Sequence, residues 1–457
     1  MKNYSLILSL TAAVLALGTS CKKDIHVADN DRSLSAGPVH SCGDSTITGV
    51  ITSNLSLDSC KIYKLSGIVY VSNNATLTIS KGALIQGVKT TGSAGGTLVI
   101  TRGAKIIAAG TQFSPIIFTS NQTTPASGDW GGVVLLGKAD INQGDSALIE
   151  GIGGVPPASA YYGGSNNADN SGVLQYVRIE YAGFELSTDN ELNGLTLGGV
   201  GSGTTLDHIE VYKSKDDAFE FFGGAVNASY LIAVDALDDM FDFDNGFSGH
   251  ITYALGLSDP ARADKSQSNG IESDNLATGD STVSPVTKAV VNHITIIGQA
   301  TAAAASITNG QPSGTGSYGR GAHIRRSSRI DLQNGVIIGF NKGISLDGAL
   351  GNTPCAYSRG LSVISNNLIH AFVTPFGIEG TSSCLTTATF DAIAQNLNGK
   401  YSSTNPNAGI LLVNPFVRPT TASAANFFPQ ASGDAAAIGA GAFTSGGADW
   451  TASWSRY

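Results

Sequence analysis

Asp216-Asp217-Ala218-Phe219-Glu220-Phe221 and Asp238-Asp239-Met240-Phe241-Asp242-Phe243-Asp244 are two versions of one phrase, set 22 residues apart. In each, aromatic and acidic side chains alternate, the pattern of a strand with one face inside and one outside. The phrase recurs as Gly194-Leu195-Thr196-Leu197 before it, and as Gly270-Ile271-Glu272-Ser273, Ala322-His323-Ile324 and Gly343-Ile344-Ser345-Leu346 after it. A second apolar series precedes it in almost every turn: Val177-Arg178-Ile179-Glu180, Ile209-Glu210-Val211, Ile232-Ala233-Val234, Tyr253-Ala254-Leu255, Ile294-Thr295-Ile296 and Val336-Ile337-Ile338. A period near 22 with two or three short strands in each repeat predicts a parallel β-helix. A β-propeller would need blades of about 40 residues or more, and no Trp-Asp or kelch pattern is present. The expected fold is all-β: a single right-handed parallel β-helix over residues 41–375. The Cys42 to Cys60 loop is placed to cap its first coil, because solenoid ends expose unpaired strand edges. Residues 376–457, with Phe390, Ile393 and Leu397 at helical spacing and with Trp450 and Trp454, are expected to form an irregular C-terminal cap packed on the coils.

Composition supports an all-β chain. Of 457 residues 57 are Gly and 2 are Met, and charged residues make up 13%. Helix bundles need good helix formers and i,i+4 charge pairs, both scarce here. With 26 basic against 35 acidic residues the net charge is −9, which excludes the electrostatic footprint of a nucleic-acid binder.

At the start of the chain, Lys2, the apolar run Ile7 to Leu17 and Gly18-Thr19-Ser20-Cys21 resemble a bacterial lipoprotein signal peptide. The resemblance implies a signal over residues 1–20, lipid on Cys21 and a tether over 21–40. No other apolar run reaches the roughly 20 residues that span a bilayer, so Cys21 would be the only anchor. Four cysteines remain. An even remainder in an exported chain favours disulfides, and proximity in sequence favours Cys42 with Cys60 and Cys355 with Cys384 over the other connectivities.

Four longer stretches carry a family resemblance: Gly128-Asp129-Trp130-Gly131-Gly132, Asn193-Gly194-Leu195-Thr196-Leu197-Gly198-Gly199, Asp216 to Gly224 and Ser268-Asn269-Gly270-Ile271-Glu272-Ser273-Asp274-Asn275. They resemble a family of exported Bacteroidetes lipoproteins with a pectin-lyase-like β-helix, from about residue 65 to the end. The resemblance implies a fold and an outer-membrane location, on the cell surface or on the periplasmic face, with no established reaction. A multidrug-transporter label carried by some members is not justified by a chain without a membrane-length apolar run.

Registering the repeats puts Leu195, Phe219, Phe241, Ile271, Ala322 and Ile344 inside, and sends Thr196, Glu220, Asp242, Glu272, His323 and Ser345 outward. Asp244, Asp274 and Arg325 follow on the same face, and Asp216, Asp217, Asp238 and Asp239 lie just before it. Like charges about 5 Å apart repel by roughly 3 kcal/mol at an effective dielectric near 20. A Ca²⁺ ion, basic partners such as Lys213, Lys215, Arg325 and Arg326, or shared protons would relieve that repulsion. The expected metal ligands are Glu220, Asp242, Asp244, Glu272 and Asp274. By similarity to Ca²⁺-dependent pectate lyases, in which an Arg removes a proton, Arg325 and His323 are the candidates for catalysis.

Several other signals stay structural in this reading. Gly314 to Gly319 matches a dinucleotide fingerprint only by letter, and His208, His250 and His293 stand singly. Trp130 and the pair Tyr161-Tyr162 are of a type that stacks on sugars, with coil packing favoured for Trp130. Three functional classes follow. The favoured one is a ligand-capturing lipoprotein, binding a glycan or another nutrient beside a TonB-dependent transporter. The alternatives are a Ca²⁺-dependent polysaccharide lyase or glycoside hydrolase, and a non-catalytic structural rod.

Overall fold

Three strand segments, joined by bends tight enough to keep the apolar positions inward, make one coil, and coils stack by parallel pairing. A computed structural model describes residues 40–91, 95–152, 160–187 and 190–457. The predicted Cys21 anchor, signal and tether lie outside the described residues.

The first sheet runs through Leu55–Leu57, Thr76–Ile79 and Lys105–Ala109, then residues 172–175, 205–207, 228–229, 250–252 and 288–292, ending at Arg329–Gln333 and Val363–Ser365. The second continues from it through residues 177–180, 209–212, 231–234, 254–257 and 294–297. The third holds Thr97–Ile100, Gly132–Leu136, Leu195–Val200, Phe219–Gly224, Phe241–Asp244, Ile271–Ser273 and Arg320–Ile324. Twenty-four strands join in this one parallel system, the β-helix expected from the repeat.

Leu195, Phe219, Phe241, Ile271, Ala322 and Ile344 are paired in register and fully buried. The rings of Phe219 and Phe241 lie 5.5 Å apart and nearly parallel.

Between first and second sheet the chain bends at one left-handed residue per coil. Tyr176, His208, Tyr230, Tyr253 and His293 take it, with φ between 49° and 58°. Their rings form a stack at centroid spacings of 4.4, 4.4, 5.2 and 5.2 Å. Side chains occupying one position on adjacent coils sit at roughly the strand spacing of 4.8 Å, which suits offset aromatic stacking.

Both expected disulfides are present, Cys42–Cys60 and Cys355–Cys384. The second ties the helix Thr353–Ser358 to the segment before the helix Thr387–Ala394. Phe390 of the latter is fully buried, its ring 5.0 Å from Tyr357 and 5.9 Å from Phe376, covering the last coil's interior.

Beyond Tyr401 the chain turns back along the outer face of the second sheet. Ile410, Leu412, Phe427, Phe443 and Trp454 cover Ile232, Val234, Leu255, Leu257, Ile297 and Ile338. Polar contacts are spaced along the route. The amide of Ala442 donates to Thr295 Oγ1 (2.8 Å), Arg418 pairs with Asp235 (2.7 Å), Arg178 donates to the Trp454 carbonyl (3.0 Å) and Gln112 to that of Ala452 (2.9 Å). Among the described residues, no helix is long and apolar enough to cross a membrane.

Candidate functional site on the acidic face

The outward row of the third sheet has the composition read from the repeat: Thr196, Glu220, Asp242, Glu272, His323 and Ser345 are consecutive partners in the ladder. Just before each strand the chain bends, and there Asp217, Asp239 and Asn269 form a side-chain ladder. The Asp239 amide donates to Asp217 Oδ1 (2.8 Å), that of Asn269 to Asp239 Oδ1 (2.6 Å), and that of Arg320 to Asn269 Oδ1 (2.8 Å). Each side chain thus satisfies a backbone donor of the next coil, and the strands of this face are held in register.

The predicted ligand set divides. Asp217, Glu220 and Asp242 each present a carboxylate oxygen within 4.8 Å of the others, and so do Asp216, Asp217 and Asp238. Asp217 belongs to both triads. Glu272 and Asp274 are drawn the other way, by cations. Arg325 pairs with Glu272 and with Asp274 (2.8 Å), and Arg326 with Asp274 (2.5 Å). His323 lies between Glu272 (3.4 Å) and Asp347 (3.3 Å). Asp244 stands in neither triad and accepts the amide of Asn245 (2.6 Å).

Electrostatics follow this division. Burial, then Glu272 and Asp244, hold the Asp242 carboxyl well above the usual range. Burial, then Glu150 and Asp242, do the same to Glu220, and burial, then Asp216 and Asp239, to Asp217. Asp244 is pushed up to about 8 by burial and then Asp274. At Glu272 burial works against ionisation, but His323 and Arg325 outweigh it and hold the carboxyl below its ordinary value. Burial likewise opposes charge on Arg325, yet Glu272 and Asp274 tighten its hold on its proton.

Among the described residues, Asp216, Asp217, Glu220, Asp238 and Asp242 enter no ion pair. Glu220 accepts from Asn193, and Asp242 Oδ1 is buried with no hydrogen-bond partner. Oxygen-only donors of this kind suit a hard cation such as Ca²⁺.

Sequence reasoning had placed Asp216, Asp217 and Asp238 beside the face without seeing them converge. Their signal was the paired Asp-Asp step repeated at 22 residues. The aromatics lie elsewhere. Trp130 is buried, its indole N–H donating to the Glu180 carbonyl (2.8 Å), and Tyr162 is buried against Gly198, where any Cβ would meet its ring at 2.7 Å. Tyr161 is partly exposed.

A family model described as "Pectate-lyase like beta helix domain" matches residues 49–455. No curated protein and no solved structure matches the chain.

Proposed function

The chain belongs to the pectate-lyase-like β-helix family, and from that premise we propose that it captures anionic glycans through a divalent cation held on its acidic face. The observation that carries this reading is the buried, partnerless Oδ1 of Asp242 beside Asp217 and Glu220. An orphaned carboxylate oxygen costs its full desolvation penalty unless something coordinates it. Asp217, Glu220 and Asp242 would hold the ion, with Asp216 and Asp238 flanking. Ca²⁺ takes six to eight oxygens, so a ligand carboxylate would find positions left open. The experiment is a melting series in Ca²⁺ and in chelator. Ca²⁺ at a hundredfold excess over its dissociation constant is expected to stabilise the fold by about 2.7 kcal/mol. Asp242→Asn removes most of that gain, and Asp391→Asn on the terminal helix leaves it intact. Identical melting in Ca²⁺ and chelator overturns the cation site and favours a structural rod.

One observation favours an enzyme of the same fold, a polysaccharide lyase or hydrolase: the ladder neighbours Asp242 and Glu272 are shifted in opposite directions, as an acid and a base would be. Appearance of unsaturated products or new reducing ends from uronic-acid polysaccharides would decide for it.

The capture reading places the protein at the outer membrane, lipidated on Cys21 and serving a TonB-dependent transporter. Palmitate labelling that persists in Cys21→Ser would refute the anchor.

A further inference from the structure

A second cavity lies on the same turns, a few residues upstream of the acidic face. It encloses about 430 Å³, within the range of small-molecule sites. Tyr181, Lys213 and Asp235 line it from successive coils. Each follows a second-sheet strand, its amide donating to the next coil (2.8, 2.8 and 2.9 Å), and each has left-handed backbone (φ 62°, 57° and 55°).

Arg262 builds the opposite wall. Its guanidinium donates to Asp259 (2.6 Å), to Ser127 Oγ (3.0 Å) and to the Asp235 carbonyl (3.3 Å). The segment carrying Pro125 and Ser127 is fixed in turn, since the amides of Gly128 and Asp129 donate to the carbonyls of Ala182 and Tyr181 (2.9 and 3.1 Å).

Charge in the cavity is not balanced. Asp259 is taken by Arg262 and Asp235 by Arg418. Lys213 enters no ion pair among the described residues, its ammonium lying 4.9 Å from the centre of the Tyr212 ring. One cation is therefore left over in a protein of net charge −9. The walls are partly apolar, from Tyr181, Pro125 and Pro260. Apolar walls with a few fixed polar groups and one unpaired cation suit a compact, hydroxylated, anionic ligand.

We infer that this cavity is a subsite for a single acidic sugar, of the uronate class, with Lys213 as its carboxylate partner. The choice of a sugar rests on the capture reading above, while the cavity's charge stands apart from it. Position links the two sites: Asp216 follows Lys213 by three residues and Asp238 follows Asp235 by three, so one glycan chain can reach both.

The test is a ligand-observed NMR titration of the mature chain with glucuronate and galacturonate, beside glucose and galactose, in Ca²⁺ and in chelator. A uronate is expected to bind saturably and at least tenfold more tightly than its uncharged hexose. Lys213→Gln weakens it at least tenfold and Lys213→Arg by less than threefold, with melting of both variants near wild type. Binding persists in chelator and in Asp242→Asn, so loss of the Ca²⁺ effect on melting with retained uronate binding overturns only the cation site. Absence of saturable binding by either uronate, or equal affinity in Lys213→Gln, overturns the subsite.

Discussion

Glu210 shows how far one side chain can be set by what covers it. It is fully buried beneath the returning C-terminal segment, and both its oxygens lie within reach of the Arg456 amide (3.0 and 2.9 Å). Burial dominates, opposed by Arg178, and pushes its carboxyl from an ordinary 4.5 up to about 8. The folded state therefore keeps a proton that the unfolded chain releases near 4.5. Its contribution to stability is complete below that pH and is lost as pH rises through about 8, by up to about 1.4 kcal/mol per unit. Melting of wild type should fall between pH 5 and 9 more steeply than that of Glu210→Gln, and parallel curves would refute the shift. Glu210 was legible as a member of the second series, but the cover that isolates it was not. The same limit holds at the acidic face. Alternation alone placed Glu220, Asp242 and Glu272 outward, whereas the capture of Glu272 by Arg325 depends on side-chain conformation across two coils.

At the scale of elements, strands were easier to read than turns. Inward positions repeat because adjacent coils must bury one another's apolar face, and Phe219, Phe241 and Ile271 carry that signal without loops intervening in their spacing. Turn positions are displaced by loops of varying length. The stacked Tyr176, His208, Tyr230, Tyr253 and His293 are separated by 32, 22, 23 and 40 residues, so the histidines among them read as isolated. The ladder through Asp217, Asp239 and Asn269 was hidden differently, since acidic residues there suggested only chemistry. Asn269 holds two coils together, accepting from the Arg320 amide and donating to Glu272 (3.1 Å). Asn269→Ala leaves both groups without that partner, at a cost of about 1–3 kcal/mol. Hydrogen exchange should show faster exchange at the Arg320 amide, with Phe219 unaffected; unchanged protection at Arg320 would remove the ladder's structural role.

For the whole molecule, the β-helix follows from the repeat, while the path of the last fifty or so residues has no counterpart in it. The tail's aromatics mark it as packed on the coils, but its direction depends on an apolar outer face of the second sheet, Ile232, Leu255, Ile297 and Ile338, which from sequence looks like added core. The returning segment has one further consequence. A solenoid can in principle lengthen by duplicating a coil, each copy adding a step of about 4.8 Å. Here the segment grips Thr295, Asp235, Arg178 and Gln112 in turn, and so acts as a ruler laid against the coils. A coil duplicated between Gln112 and Thr295 would push some of its marks out of line, whereas one duplicated between Leu57 and Ile100 would leave them aligned. Growth by duplication is thereby steered toward the N-terminal end.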